Sequence, residues 1–116
     1  MIFVDFHAEA TSEKRALAEY IGSKVSAVFG THTHVATADQ QILKNGCGFI
    51  TDIGMTGPIN SVLGVKTELS IAKIKDGAPV KFSLSDGECR LDGCIFETDN
   101  KTGKCVDIKR ISIYLF

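Results

Sequence analysis

The chain has 116 residues, 44% hydrophobic and 23% charged, with a formal net charge of −1 at pH 7. That length suits one domain burying roughly 65% of its unfolded surface, and the near-neutral balance excludes a general nucleic-acid or membrane-surface binder. No apolar run reaches a membrane span and no basic region precedes an apolar one at the N-terminus, so the expectation is a cytoplasmic protein with no membrane partner.

Ile2 to Phe6 reads as a short strand buried on both faces, ending at His7. Such strands sit inside βαβ arrays that continue on both sides, a first indication that the chain is part of something longer. Thr11-Ser12-Glu13-Lys14 opens a helix with a hydroxyl N-cap and an acid in the first turn. Ala16, Leu17, Tyr20 and Ile21 form the stripe expected to lie on a sheet, and Gly22-Ser23 stops the helix. Val25 to Phe29 is the second buried strand, so residues 2–29 make a βαβ unit with a right-handed crossover.

The stretch Val25 to Asp39, VSAVFGTHTHVATAD, follows a strand and a glycine with two histidines two residues apart, His32 and His34. In an extended segment both would project to the same side, just past the strand's C-terminal end, where α/β folds place their chemistry. Gln41-Ile42-Leu43 is a short extended piece, Lys44-Asn45-Gly46 a turn, and Gly48 to Asp52 a third strand running into the glycine-punctuated loop Ile53 to Pro58. Residues 66–76 form a second helix with Leu69, Ile71, Ala72 and Ile74 apolar, closed by Gly77 and Pro79. Beyond it Val80-Phe82-Leu84, Cys89 to Phe96 and Val106 to Tyr114 alternate, with Asp99 to Gly103 as a hairpin turn. The expected class is therefore α/β, a βαβ unit followed by a mostly antiparallel β section, with an α/β part over 1–78 and a β part over 79–116.

Four cysteines without a CxxC pair read as reduced, partly buried thiols. No GxSxG elbow or P-loop is present, so nucleophilic catalysis has no support. The three histidines of the chain, His7, His32 and His34, all stand just past strand ends, and neutral imidazole is a good ligand for zinc, iron and manganese. Alone they would suit a mononuclear zinc site, whereas a binuclear hydrolase needs further carboxylate or asparagine ligands. Asp5 either shares the side of His7 or is a buried acid bonded to backbone N–H groups. Glu9 either caps the helix or orients a ligand, and Asp39 and Asp52 read chiefly as acids that fix loops. The glycines of GMTGP offer N–H groups for an anion pocket, or simply a turn.

DFHAEATSEK, GTHTHVATAD and ITDIGMTGP stand in the order and spacing of the YmdB-like bacterial metallophosphoesterases, and GTHTH resembles the terminal G-H-x-H element of the calcineurin-like superfamily. The resemblance covers essentially the whole chain. It implies the C-terminal half of a four-layer α/β/β/α fold with two divalent metal ions, iron or manganese foremost and zinc as an alternative. It also implies hydrolysis of phosphodiesters such as 2′,3′-cyclic nucleotides, free or RNA-derived, in the bacterial cytoplasm. By the same resemblance His7, His32 and His34 match metal ligands, His32 and His34 on different ions, while Asp5, Glu9, Thr33, Asp39, Asp52 and Gly54 fall in the surrounding shell or substrate pocket.

Family members run to more than twice this length. The half carrying G-D-x-x-G, the bridging glutamate and the N-H pair with the catalytic acid histidine has no counterpart in these 116 residues. The expectation is that this chain holds no catalytic acid and is inactive by itself. Its first strands should leave a sheet edge to be covered by the missing half or another chain, with a homo-oligomer as one outcome. A different class of function is a degenerate phosphoesterase remnant serving as a binding or assembly module. Retention of all three histidines favours a catalytic parent.

Overall fold

The computed structural model describes residues 1–115. They cluster into two compact units, Met1–Met55 with Asp92–Ile111, and Thr56–Leu91 with the residues from Ser112 onward. The first unit holds a four-stranded sheet of β1 (Phe3–His7), β2 (Ala27–Thr31), β3 (Gln41–Ile42) and β4 (Gly48–Ile50), in the order β1-β2-β4-β3. β1, β2 and β4 run parallel, and β3 is antiparallel to β4. The register places His7 beside Thr31, so the histidine-bearing ends of β1 and β2 finish level with each other.

β1 differs from its expected environment. It lies at the sheet edge, with Val4 and Phe6 half-buried and Phe3, Asp5 and His7 exposed. Pairing on one side only, it has its outer face covered chiefly where the Phe3 ring meets Phe96 edge-on. Inside the unit the core is Ala18, Val28, Leu43, Cys47 and Phe49, with Val4, Phe6, Ile21 and Val25 packed against it. Full burial of a side chain such as Val28 or Phe49 contributes about 1.5–3 kcal/mol.

The crossover helix α1 (Thr11–Ile21) starts without a side-chain cap: Ala10, not Thr11, occupies the N-cap, and Thr11 is already helical. Glu13 does sit in the first turn, where its charge suits the exposed N–H groups. The buried face is also rotated from the expected stripe. Lys14 and Ala18 are fully buried and Leu17 and Ile21 half-buried, whereas Ala16 is exposed and Tyr20 is 85% exposed. The inward spacing is i, i+3, i+4, i+7 from Lys14, and a lysine takes part because its stem can line apolar surface. Gly30 makes this possible. A Cβ there would run into the Thr51 carbonyl and lie 2.7 Å from Lys14 Cδ, so glycine leaves the space the stem uses.

In the second unit β5 (Thr56–Pro58), expected as plain loop, pairs antiparallel with the start of β6 (Cys89–Thr98). Three ladder residues ending at proline are enough for an edge strand, where the missing N–H costs no pairing. α2 (Thr67–Asp76) ends as expected, with Gly77 at φ 62 and the Gly77 and Ala78 N–H groups bonded to the Lys73 and Ala72 carbonyls. β6 joins β7 (Cys105–Leu115) through the Asp99 to Gly103 hairpin, where Asp99 Oδ1 accepts the Lys101 and Thr102 N–H groups at 2.9 and 2.7 Å. The three-stranded sheet has the order β5-β6-β7. Residues 79–88 form no regular strand; Leu84 makes a single bridge to Val65. Their alternation builds no buried face, since Val80 is only half-buried and Phe82 and Leu84 are 53% and 75% exposed, and without a buried face period two does not sustain a ladder. The architecture is mixed α/β with one mainly parallel and one antiparallel sheet. Among the described residues no helix is long and apolar enough to cross a membrane.

Candidate metal centre

At the end of β1 the strand geometry places Asp5 and His7 on the same exposed face, two residues apart. Thr31, level with His7 on β2, stands between them in the hydrogen-bond sense. Its hydroxyl donates to Asp5 Oδ1 at 3.0 Å, and its oxygen lies 3.1 Å from His7 Nδ1. A hydroxyl that gives its one proton to a carboxylate receives at its oxygen, so Nδ1 is the protonated nitrogen and Nε2 carries the lone pair. Asp5 is thus an exposed acid wired to His7 through Thr31, not a buried one bonded to backbone.

His7 Nε2 points at His32 Nδ1, 3.2 Å away, with the rings edge-to-face and their centroids 4.9 Å apart. The chain past β2 is not the extended segment its H-x-H spacing suggests. His32 has φ 115 and His34 φ 64, both in the left-handed region that non-glycine residues rarely enter. A tight bend therefore replaces the extended segment, and His32 pairs with His7. His34 is exposed on the same turn. Successive positive-φ positions flanking a single residue are a local cost of the kind that collects at functional sites.

Asp52 braces the turn from below. It is completely buried; its Oδ2 accepts the Thr33 N–H at 2.8 Å and lies 3.5 Å from Lys14 Nζ, while Oδ1 accepts the Gly54 N–H at 2.9 Å. Burial alone would raise this carboxyl, but the Gly54 and Thr33 bonds and the Lys14 charge together outweigh it and hold Asp52 below its ordinary value of 3.8. Gly54, at φ 87, would carry a Cβ 2.7 Å from that of Asp92, so the loop after β4 closes only with glycine there. Asp39 ties the next segment. It accepts the Thr37 hydroxyl at 2.6 Å and the Thr51 N–H at 3.1 Å on Oδ1 and the Thr51 hydroxyl on Oδ2. Here too burial is overcome by hydrogen bonds from Thr37 and Thr51, and the carboxyl is lowered. Glu9 is exposed before α1, whose N-cap receives no side-chain bond.

Two imidazole nitrogens facing each other at 3.2 Å, with one tautomer set by a carboxylate–hydroxyl chain, are the donor chemistry of a divalent first-row metal. Among the described residues no three of histidine, cysteine, aspartate and glutamate converge into a group that could hold a metal ion. Burial raises the Cys47 and Cys105 thiols and pushes Cys94 up to about 11, which keeps these three from ready thiolate formation. The sequence does not mark Lys14, Thr31, Thr37 or Thr51 as parts of the site. The available signal was Thr31, which ends β2 level with the histidine that ends β1; nothing local marked the other three.

The family model described as YmdB-like protein matches residues 1–111. A Bacillus subtilis (strain 168) protein named 2′,3′-cyclic-nucleotide 2′-phosphodiesterase is 51% identical over 97% of this chain and 42% of its own length. A crystal structure of a Mycoplasma pneumoniae protein, described as a novel phosphatase, superposes with a TM-score of 0.89 at 43% identity, covering 96% of this chain and 40% of that one. The crystal structure of a hypothetical protein from Thermus thermophilus gives a TM-score of 0.89 at 39% identity, covering 97% and 44%. The chain thus spans about two fifths of the length of the relatives it matches.

Proposed function

The chain belongs to the YmdB-like protein family, and from that premise we propose that it supplies one side of the metal centre of a bacterial, cytoplasmic phosphodiesterase. The observation that carries the reading is the His7 Nε2–His32 Nδ1 pair at 3.2 Å, backed by Thr31 and Asp5. His7 and His32 face one position and would hold one ion, and His34 would hold the second. Divalent ions bound there, iron or manganese foremost and zinc as an alternative, supply charge neutralisation at the phosphoryl oxygens and a hydroxide nucleophile at neutral pH. The chain's own residues position. Asp5 and Thr31 keep the proton on His7 Nδ1, leaving Nε2 free to donate its lone pair. Asp52 holds the Thr33 amide and with it the two flanking histidines, while Asp39 anchors the segment that returns to β4.

The substrate class in this reading is a phosphodiester of the 2′,3′-cyclic nucleotide type, as the name of the Bacillus subtilis relative suggests. The remaining ligands and the acid that protonates the leaving group come from sequence beyond these 116 residues or from another chain. That addition would cover the β1 edge and complete a four-layer sandwich; without it the open edge favours self-association. The parent enzyme is the catalyst and the 116 residues alone are not. Purified residues 1–116 with added manganese should leave bis-p-nitrophenyl phosphate essentially intact under conditions where a full-length relative turns it over. A comparable rate from the short chain would sink the division of labour.

A further inference from the structure

We propose that the buried Lys14–Asp52 ion pair is a positioning device for the histidine turn, setting where His32 and His34 present their imidazoles. This rests on the reading of those histidines as metal ligands, and it extends that reading to a residue outside the site, on the crossover helix.

Four observations carry it. First, the turn is conformationally expensive, with His32 at φ 115 and His34 at φ 64, and neither has glycine's freedom to sit there. Its internal bonds, Thr33 Oγ1 with the Val35 N–H and carbonyl at 3.3 and 3.2 Å, are long and exposed. Second, the residue between the histidines is gripped from outside the turn, through the Thr33 N–H on Asp52 Oδ2 at 2.8 Å. Third, Asp52 is fully buried, and its oxygens are both committed to main-chain N–H groups on two different loops. An ionised carboxylate accepts strongly at both oxygens, whereas a neutral acid would leave one of those N–H groups on the weaker hydroxyl oxygen and would need a partner for its own O–H. Fourth, the counter-charge beside that buried carboxylate is Lys14, itself fully buried, at 3.5 Å, adding to the hydrogen bonds from Gly54 and Thr33.

The distances separate the roles. The amide bond at 2.8 Å is the aligned contact, and the ammonium at 3.5 Å acts as a counter-charge more than as a directed hydrogen bond. Stability alone gives little reason for the pair. A buried ion pair is seldom better than apolar residues of the same volume, and the Lys14 position lies on the same helix face as Ala18, Leu17 and Ile21, where leucine or methionine would pack. What an apolar replacement lacks is a counter-charge for Asp52, whose two oxygens grip the turn. Lys14 therefore acts on the histidines through Asp52 and Thr33 and touches neither.

The test compares residues 1–116 without metal as wild type, Lys14→Met, Asp52→Asn and the double variant. Nuclear Overhauser contact between the His7 and His32 rings and the amide–Hα couplings of His32 and His34 report the turn. Cross-strand contacts of β1, β2 and β4 report the sheet, and thermal melting reports stability. Each single variant should lower Tm by on the order of 10 °C and lose the ring contact while the sheet contacts remain. The double variant, with no unpaired buried charge, should regain most of the Tm and still lack the ring contact. If the ring contact persists in folded Lys14→Met, or returns along with Tm in the double variant, the pair is structural only and the proposal fails. Should Lys14→Met not fold, the double variant decides the point. A parallel cobalt titration, followed by visible absorption, should show binding at least tenfold weaker in the folded variants. Because residues 1–116 hold only part of a ligand set, it is the difference between variants that counts: equal cobalt affinity in wild type and the folded variants would overturn the positioning role.

Discussion

The ends of β1 and β2 both carry histidine, and they hold it by opposite means. His7 stands on a regular strand and is oriented by side chains, Thr31 and through it Asp5. His32 and His34 stand on a strained backbone and are oriented by main-chain grips, Thr33 and Gly54 N–H groups on one buried carboxylate. The first arrangement is exposed and tunes one proton. The second is buried and sets the path of the chain. Wiring through side chains is easily altered with little cost to folding, whereas wiring through the backbone links the site to the stability of the unit that carries it.

Substitution can break either end, and the largest effect belongs to the β2 side. Gly54→Val puts a β-branched residue at φ 87 and drives its Cβ toward Asp92 and Ala36. A loss of about 2–4 kcal/mol is expected from strain and overpacking together, read as a lowered urea midpoint; a loss under about 0.5 kcal/mol would show that the loop after β4 does not brace the turn. Next comes a change of opposite sign. His32→Gly removes a side chain from φ 115 and should stabilise the fold by roughly 1 kcal/mol while weakening metal binding, the usual trade where strain serves a site. A destabilised variant would mean that the ring contact with His7 outweighs the backbone strain. Smallest is Thr31→Val, which cuts the link from Asp5 to His7 for about 0.5 kcal/mol in stability, because both partners are exposed. Its effect should appear in the nitrogen NMR shifts of His7, as a mixture of tautomers replacing the single Nδ1–H form. Unchanged shifts would leave the tautomer to some other contact.

Much of the fold was legible along the chain because it depends on neighbours in sequence. The parallel β1-α1-β2 unit, the 41–42 extension, the Lys44 to Gly46 turn, α2 with its Gly77 stop and the Asp99 hairpin all follow from local propensity and turn chemistry. The departures have one source. α1 rotated so that Lys14 went inward and Tyr20 outward, residues 79–88 formed no regular strand, and β1 took an edge, each because the identity of the packing partner decides which face is buried. Ile71 and Ile74 on α2, 53% and 82% exposed, repeat the point: an apolar residue at helical spacing does not specify a partner. At the site, the residue types were legible and their conformation was not. H-x-H reads as extended, and only the Asp52 grip and the positive φ values turn it into a bend.

By itself the sequence determined the elements, the histidines at strand ends and membership of the family, since these rest on local propensity and on motif order. The tertiary structure decided which imidazoles meet, which tautomer His7 adopts and that Lys14 lies beneath the turn. The reason is one of range. A strand or a cap depends on residues a few positions away, but His7 and His32, or Lys14 and Asp52, become neighbours only after the parallel sheet has brought their strands together in register.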